Sequence, residues 1–191
     1  MVHYVIDGEG VYPIADIEKI HRSHLEVDNW MSGTELRFDV PTPIIYELEE
    51  DEYDEPPNIP PFDDSLPIPY MHNDLYEAFL AAGVNNLQVY DAVIRDLKRG
   101  IEHNDYKAFN VVGVVSAANM DESEMMNISD SEIIDADFDR LVIDEDKCRG
   151  QLLFRLAENI SAIIVDERVK QEVEKRDIKG LFFYASGEWS G

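Results

Sequence analysis

The stretch Tyr106-Lys107-Ala108-Phe109-Asn110-Val111-Val112-Gly113-Val114-Val115-Ser116 decides how this chain folds. Its β-branched residues favour extended backbone, and the apolar run over Val111, Val112, Val114 and Val115 is almost unbroken. Such a run predicts a strand buried on both faces. Upstream, the segment from Asn86 to Ile94 reads as a second strand. Before it, Asn73 is placed to cap a helix over Asp74 to Ala82, with Leu75, Phe79 and Leu80 on one face and Gly83 at its end. Downstream, Phe138 to Asp144, Leu152 to Leu156 and Ala162 to Val165 read as strands. Asp166 caps a helix over Glu167 to Arg176 that turns Val169 and Val173 inward, and Gly180 precedes a last strand, Leu181 to Tyr184. Strands outnumber helices and do not alternate with them. The predicted class is therefore α+β, with a mixed or mainly antiparallel sheet and a few short helices.

The 191 residues suit a single domain. They divide into a strand-and-loop part at 1–46, an acidic, proline-rich connection at 47–70, and an α+β body at 71–191. In the first part, Val2 to Ile6 reads as a strand. So does Glu35 to Val40, where polar and apolar residues alternate. In the second, Glu47-Leu48-Glu49-Glu50-Asp51-Glu52-Tyr53-Asp54-Glu55 precedes Pro56, Pro57, Pro60, Pro61, Pro67 and Pro69. Mutual repulsion and fixed φ angles predict an exposed, extended segment. Ile59, Phe62, Leu66, Ile68 and Tyr70 are available to pin its second half to the body.

Charge narrows the function. With 41 acidic and 16 basic residues, the formal charge is −25. The resulting field repels nucleic acid and anionic membranes and attracts basic proteins and cations. The acidic run is the expected partner-binding segment, through Glu47, Glu49, Glu50, Asp51, Glu52, Asp54 and Glu55, with Tyr53 as an aromatic anchor. A lone cysteine, Cys148, precludes an internal disulfide. The N-terminus lacks the basic and apolar regions of a signal peptide, and no apolar stretch reaches the roughly 18 residues of a membrane span. The expected location is the cytoplasm.

No constellation of residues assembles a nucleophile, a base and an oxyanion hole, so the chain is not expected to be an enzyme or to need a cofactor. His21 and His24 lack further zinc ligands. Asp135, Asp137 and Asp139 have the spacing of a calcium loop, with Asp146 at the twelfth position. However, Arg140 stands where the loop needs glycine. Lys147 and Arg149 flank Cys148 and would activate its thiol if they faced it. Gly8-Glu9-Gly10 is too short for a dinucleotide fingerprint, and Asp121-Glu122-Ser123-Glu124 reads as a loop.

Several segments together resemble a known family. They are the Leu75–Gly83 helix with the strand after it, the Tyr106–Val115 stretch with Asn110 and Gly113, the Asp121-Glu122-Ser123 turn, and Leu153-Phe154-Arg155-Leu156. Ile163 to Lys170 and Gly180 to Phe183 follow. In this order they are similar to the immunity protein 11 family of bacterial polymorphic toxin systems, over residues 71–191. The chain departs from that pattern at Ala117-Ala118-Asn119-Met120. The resemblance implies a protein that binds and neutralises a cognate toxin, one with a basic surface given the charge here. Two other readings remain: an acidic adaptor or nucleic-acid mimic without a toxin, and a metal-dependent hydrolase using the carboxylates of 130–146. Oligomeric state is not legible.

Overall fold

In the computed structural model, which describes residues 2–8, 13–21, 30–126 and 136–191, the 106–116 stretch forms two strands rather than one. Gly113 adopts φ +137°, a conformation that only glycine reaches readily. There the chain leaves strand β7 (Ile101–Val111) and enters β8 (Val114–Val115) in a different sheet. Val114, expected to be buried, is 42% exposed. The reason is that β8 is an edge strand, whose one neighbour in the sheet among the described residues is Leu153–Leu156.

The first sheet has the order β13 (Leu181–Ala185), β1 (His3–Gly8), β12 (Ile163–Asp166), β11 (Leu153–Leu156), β8. The second runs β2 (Ile17–Ile20), β3 (Ile44–Leu48), β6 (Leu87–Asp96), β7, β5 (Tyr70–His72), β4 (Phe62–Asp63). A small ribbon pairs β9 (Glu124–Met125) with β10 (Phe138–Arg140). Among the described residues, the β3–β6 and β8–β11 strand pairs and the isolated Ile14–Asn58 bridge are parallel, and the other strand pairs are antiparallel. The α+β class with mixed, mainly antiparallel sheets therefore holds.

Two helices close the gap between the large sheets: α1 (Asn73–Ala82) and α2 (Glu167–Lys175). Ile6, Leu153 and Ile163 from the first sheet meet Met71, Phe109 and Val111 from the second. Leu75 and Phe79 of α1 and Val169 and Val173 of α2 fill the same core. Strand alternation sends the neighbouring side chains the other way. Val5, Phe154 and Ile164 pack with Phe138, Leu141 and Ile143. Tyr46, Tyr70 and Ala108 pack with Trp30, Leu36 and Val40.

Local signals were partly displaced. His72, not Asn73, caps α1: its Nδ1 accepts the Asp74 amide at 3.2 Å. Leu80 lies 44% exposed, and Ala78 takes the inward position. Gly83 ends the helix in the left-handed conformation, as expected. Asp166 caps α2 by accepting from the Arg168 amide at 3.0 Å. Glu35–Val40 is not a strand, although Leu36 and Val40 are buried. There the Gln88 side chain substitutes for a neighbouring strand, accepting from Leu36 N–H at 2.7 Å and donating to its carbonyl at 3.1 Å. Within Phe138–Asp144 only β10 is regular, yet Leu141 and Ile143 remain buried.

Residues 47–70 are less exposed than their composition predicts. Glu47 lies in β3, an interior strand, and β4 and β5 extend the same sheet. Phe62, Ile68 and Tyr70 are all buried and anchor the segment.

Candidate functional site

The acidic run begins inside the second sheet and then crosses the tip of the β6–β7 hairpin. That tip is Asp96-Leu97-Lys98-Arg99-Gly100, where Gly100 takes φ +67° to complete the turn. The turn sets two consecutive cations against the run. Arg99 binds Asp51 in a fork, Nη1 to Oδ2 at 2.9 Å and Nη2 to Oδ1 at 2.7 Å. The same guanidinium donates to Asp96 Oδ2 at 2.9 Å, to the Tyr53 carbonyl at 2.8 Å and to the Glu55 carbonyl at 3.2 Å. Lys98 Nζ donates to the carbonyls of Asp51 and Tyr53 at 2.8 and 2.9 Å. The Tyr53 amide in turn donates to Asp51 Oδ1 at 2.9 Å. The run is thus strapped down through its backbone, by planar bidentate geometry that lysine alone does not provide.

This arrangement divides the seven carboxylates into two groups. Glu47 accepts from His21 Nε2 at 2.6 Å and lies 3.6 Å from Lys19. Its carboxyl is held below the usual range, first by the His21 hydrogen bond and then by the charges of His21 and Lys19. Asp51 is held far lower, chiefly by the Arg99 fork. Arg99 is correspondingly pushed up by Asp51 and Asp96. These two acids are neutralised internally. Glu49, Glu50, Glu52, Asp54 and Glu55 are exposed, and their carboxylates have no cationic partner among the described residues. Glu49, Glu50, Asp51 and Glu52, with Asp16 opposite, line a cleft of about 440 Å³ whose remaining wall includes Ile14, Tyr53 and Pro57. The partly buried Tyr53 stands in that wall. Chemically, the cleft is a concave acidic surface with an apolar edge, fitted to cationic side chains.

The sequence pattern pointed to the acids but not to Lys98, Arg99 and Asp96, which organise them. The available signal was local: two adjacent cations next to a turn glycine, in a chain with few cations.

The family-like residues sit elsewhere, at the junction of the two sheets. Asn110 is buried and donates to the Thr34 carbonyl at 2.8 Å and to Gln88 Oε1 at 2.9 Å. The Gly113 carbonyl accepts the Arg155 amide at 3.0 Å. Asn86 bridges the Val112 and Leu153 carbonyls at 2.8 and 2.9 Å. Phe154 is fully buried. Arg155 is also fully buried and donates through Nη1 to the Ile160 carbonyl at 2.9 Å. Its Nε and Nη2 make no hydrogen bond. Burial pulls Arg155 down to about 10, partly opposed by Asp64. Asp64 is pushed up to about 7, by burial first and by Asp7 and Asp63 as well, against the pull of Arg155.

Of the remaining candidates, Cys148 and Ser123 make local structural contacts. Cys148 is buried and its thiol is pushed up to about 12, by burial and then by Glu145, Asp144 and Glu158. Lys147 and Arg149 instead pair with Asp144 and Asp146. Ser123 Oγ accepts the Val142 amide at 2.9 Å. His24 and Asp135 lie outside the described residues. Among the described residues, no group of three His, Cys, Asp or Glu side chains is arranged to hold a metal, and no helix is long and apolar enough to cross a membrane.

No curated protein matches the chain. A model of the immunity protein family (Imm11) matches residues 73–188, which takes in the hairpin and the sheet junction but leaves the acidic run outside. More than half of the sequence lies within that match, and the protein therefore belongs to the Imm11 immunity protein family.

Proposed function

We propose that this protein neutralises a cognate bacterial toxin by forming a one-to-one complex that covers the toxin's active surface. The observation that carries the reading is the presentation of five uncompensated carboxylates on a segment whose backbone is fixed by Arg99 and Lys98. A fixed acidic surface loses less entropy on binding than a mobile one, and it steers a basic partner towards productive contact. The family to which the chain belongs supports the toxin as that partner. The protein would act in the cytoplasm of the toxin-producing cell, by occlusion rather than by catalysis.

The test is to seek a toxin gene adjoining this one, to express its product with and without the protein, and to mix the two purified proteins. The reading expects restored growth and a complex of equal stoichiometry in size-exclusion chromatography with light scattering. Protection without any complex would overturn occlusion. Absence of both would overturn the immunity role.

A further inference from the structure

We infer that the tip of the β6–β7 hairpin is an apolar anchor site beside the acidic run. Its occupant would be a partner segment in which an apolar side chain is flanked by lysine or arginine. The inference rests on the proposed reading of the acidic run as a docking surface and adds the element that sets complex lifetime.

Leu97 is 62% exposed and Ile101 37% exposed, next to each other across the turn. Between them lies a shallow groove of about 340 Å³ rimmed by Arg95, Asp96, Gly100 and Glu102. A two-strand hairpin tip is normally polar, because its side chains have no layer to pack against. Here two large aliphatic side chains occupy it instead. The groove and the acidic cleft are joined by the ion-pair chain Asp96–Arg99–Asp51. Asp96 rims the groove and Asp51 lines the cleft. The cations near the groove are already paired, Arg95 of the rim with Glu102 at 2.8 Å, Arg99 with Asp51 and Asp96, and Lys98 with Asp51 at 3.3 Å. The charges at the groove balance one another, and the uncompensated negative charge comes from the five free carboxylates of the run strapped beside it, so charge complementarity selects a cationic segment. An apolar anchor encircled by charge has the anatomy of an interface hot spot, where the desolvated centre controls dissociation and the rim controls approach.

The probes are two lysine-rich peptides identical except for a central leucine or serine. Binding to the full-length protein is read by fluorescence anisotropy at low salt. The inference expects the leucine peptide to bind about tenfold more tightly, as burial of much of one leucine side chain implies. Leu97→Ser and Ile101→Ser should each erase most of that preference while leaving the serine peptide's affinity unchanged. Neutralising the five free carboxylates should weaken both peptides alike. Equal binding of the two peptides, or a preference that survives Leu97→Ser, would overturn the anchor and leave the acidic docking reading intact. Failure of both peptides to respond to carboxylate neutralisation would overturn the docking reading as well. Leu97 is largely exposed, so its replacement leaves the core untouched.

Discussion

Arg99 grips Asp51 through both carboxylate oxygens, joining the hairpin turn to a segment 48 residues earlier in the chain. The fork and the carbonyl contacts beside it hold residues 51–55 against the hairpin. Replacing Arg99 by Ala should release that segment while leaving the cores intact. Cleavage by a glutamate-specific protease reads the change directly, because proteolysis follows local opening. Cutting after Glu52 should accelerate several-fold in Arg99→Ala, and Arg99→Lys should fall between the two. An unchanged cleavage rate would show that the strap does not hold the run.

Phe154 and Val114 separate the buried interior from the edge of the first sheet. Phe154→Ala should cost about 3–5 kcal/mol, since the cavity left among Val5, Phe138, Leu141, Ile143 and Ile164 cannot collapse fully. Val114→Ala, on an exposed edge, should stay within about 0.5 kcal/mol of the parent. Urea melts measure both. Equal costs would contradict the division of the 106–116 stretch at Gly113.

Arg155 is a fully buried cation with two of its three nitrogens unpaired. Its desolvation is only partly offset, so an apolar side chain of similar shape should be tolerated. Arg155→Met is expected to be neutral or stabilising by about 1–4 kcal/mol. Arg155→Ala should destabilise by about 2–5 kcal/mol, through the cavity it opens. If Met costs as much as Ala in denaturant melts, the guanidinium itself holds the sheet junction.

Asp64 and Asp51 give stability opposite dependences on pH. The folded-state value of Asp64 is raised to about 7 from an ordinary 3.8. Between these values the unfolded chain ionises while the native carboxyl keeps its proton. This contribution to stability is fully present below about pH 4 and is lost as pH rises towards 7. Asp51, held low by Arg99, contributes above the ordinary value and loses that contribution in stronger acid. Asp64→Asn should therefore flatten the stability profile between about pH 4 and 7 and leave the acid limb unchanged. A profile still sloping as in the parent across that window would rule Asp64 out as its source.

Strand positions in the C-terminal body were legible because apolar runs and caps such as Asp166 are local signals. The break at Gly113 was not, since it depends on where two sheets meet. Glu35–Val40 alternates correctly, but its hydrogen-bond partner is the distant side chain of Gln88, invisible to any local pattern. The same applies to the site. Seven acids in a row announce themselves by charge, whereas the pairing of Asp51 with Arg99 and of Glu47 with His21 requires the fold. That pairing reduces the carboxylates available to a partner from seven to five.

The central claim is that these five carboxylates capture a basic toxin surface, and its most direct measurement is the association rate across a salt series. Glu49, Glu50, Glu52, Asp54 and Glu55 are replaced together by Gln or Asn, and binding to the cognate toxin, sought among the genes adjoining this one, is followed by stopped flow. The account predicts an association rate about tenfold lower than the parent at low salt, converging with it at high salt, where the Debye length falls to roughly 3 Å at 1 M. Dissociation should be nearly unchanged. A parent-like association rate at low salt would contradict the claim and move the interface away from the acidic run.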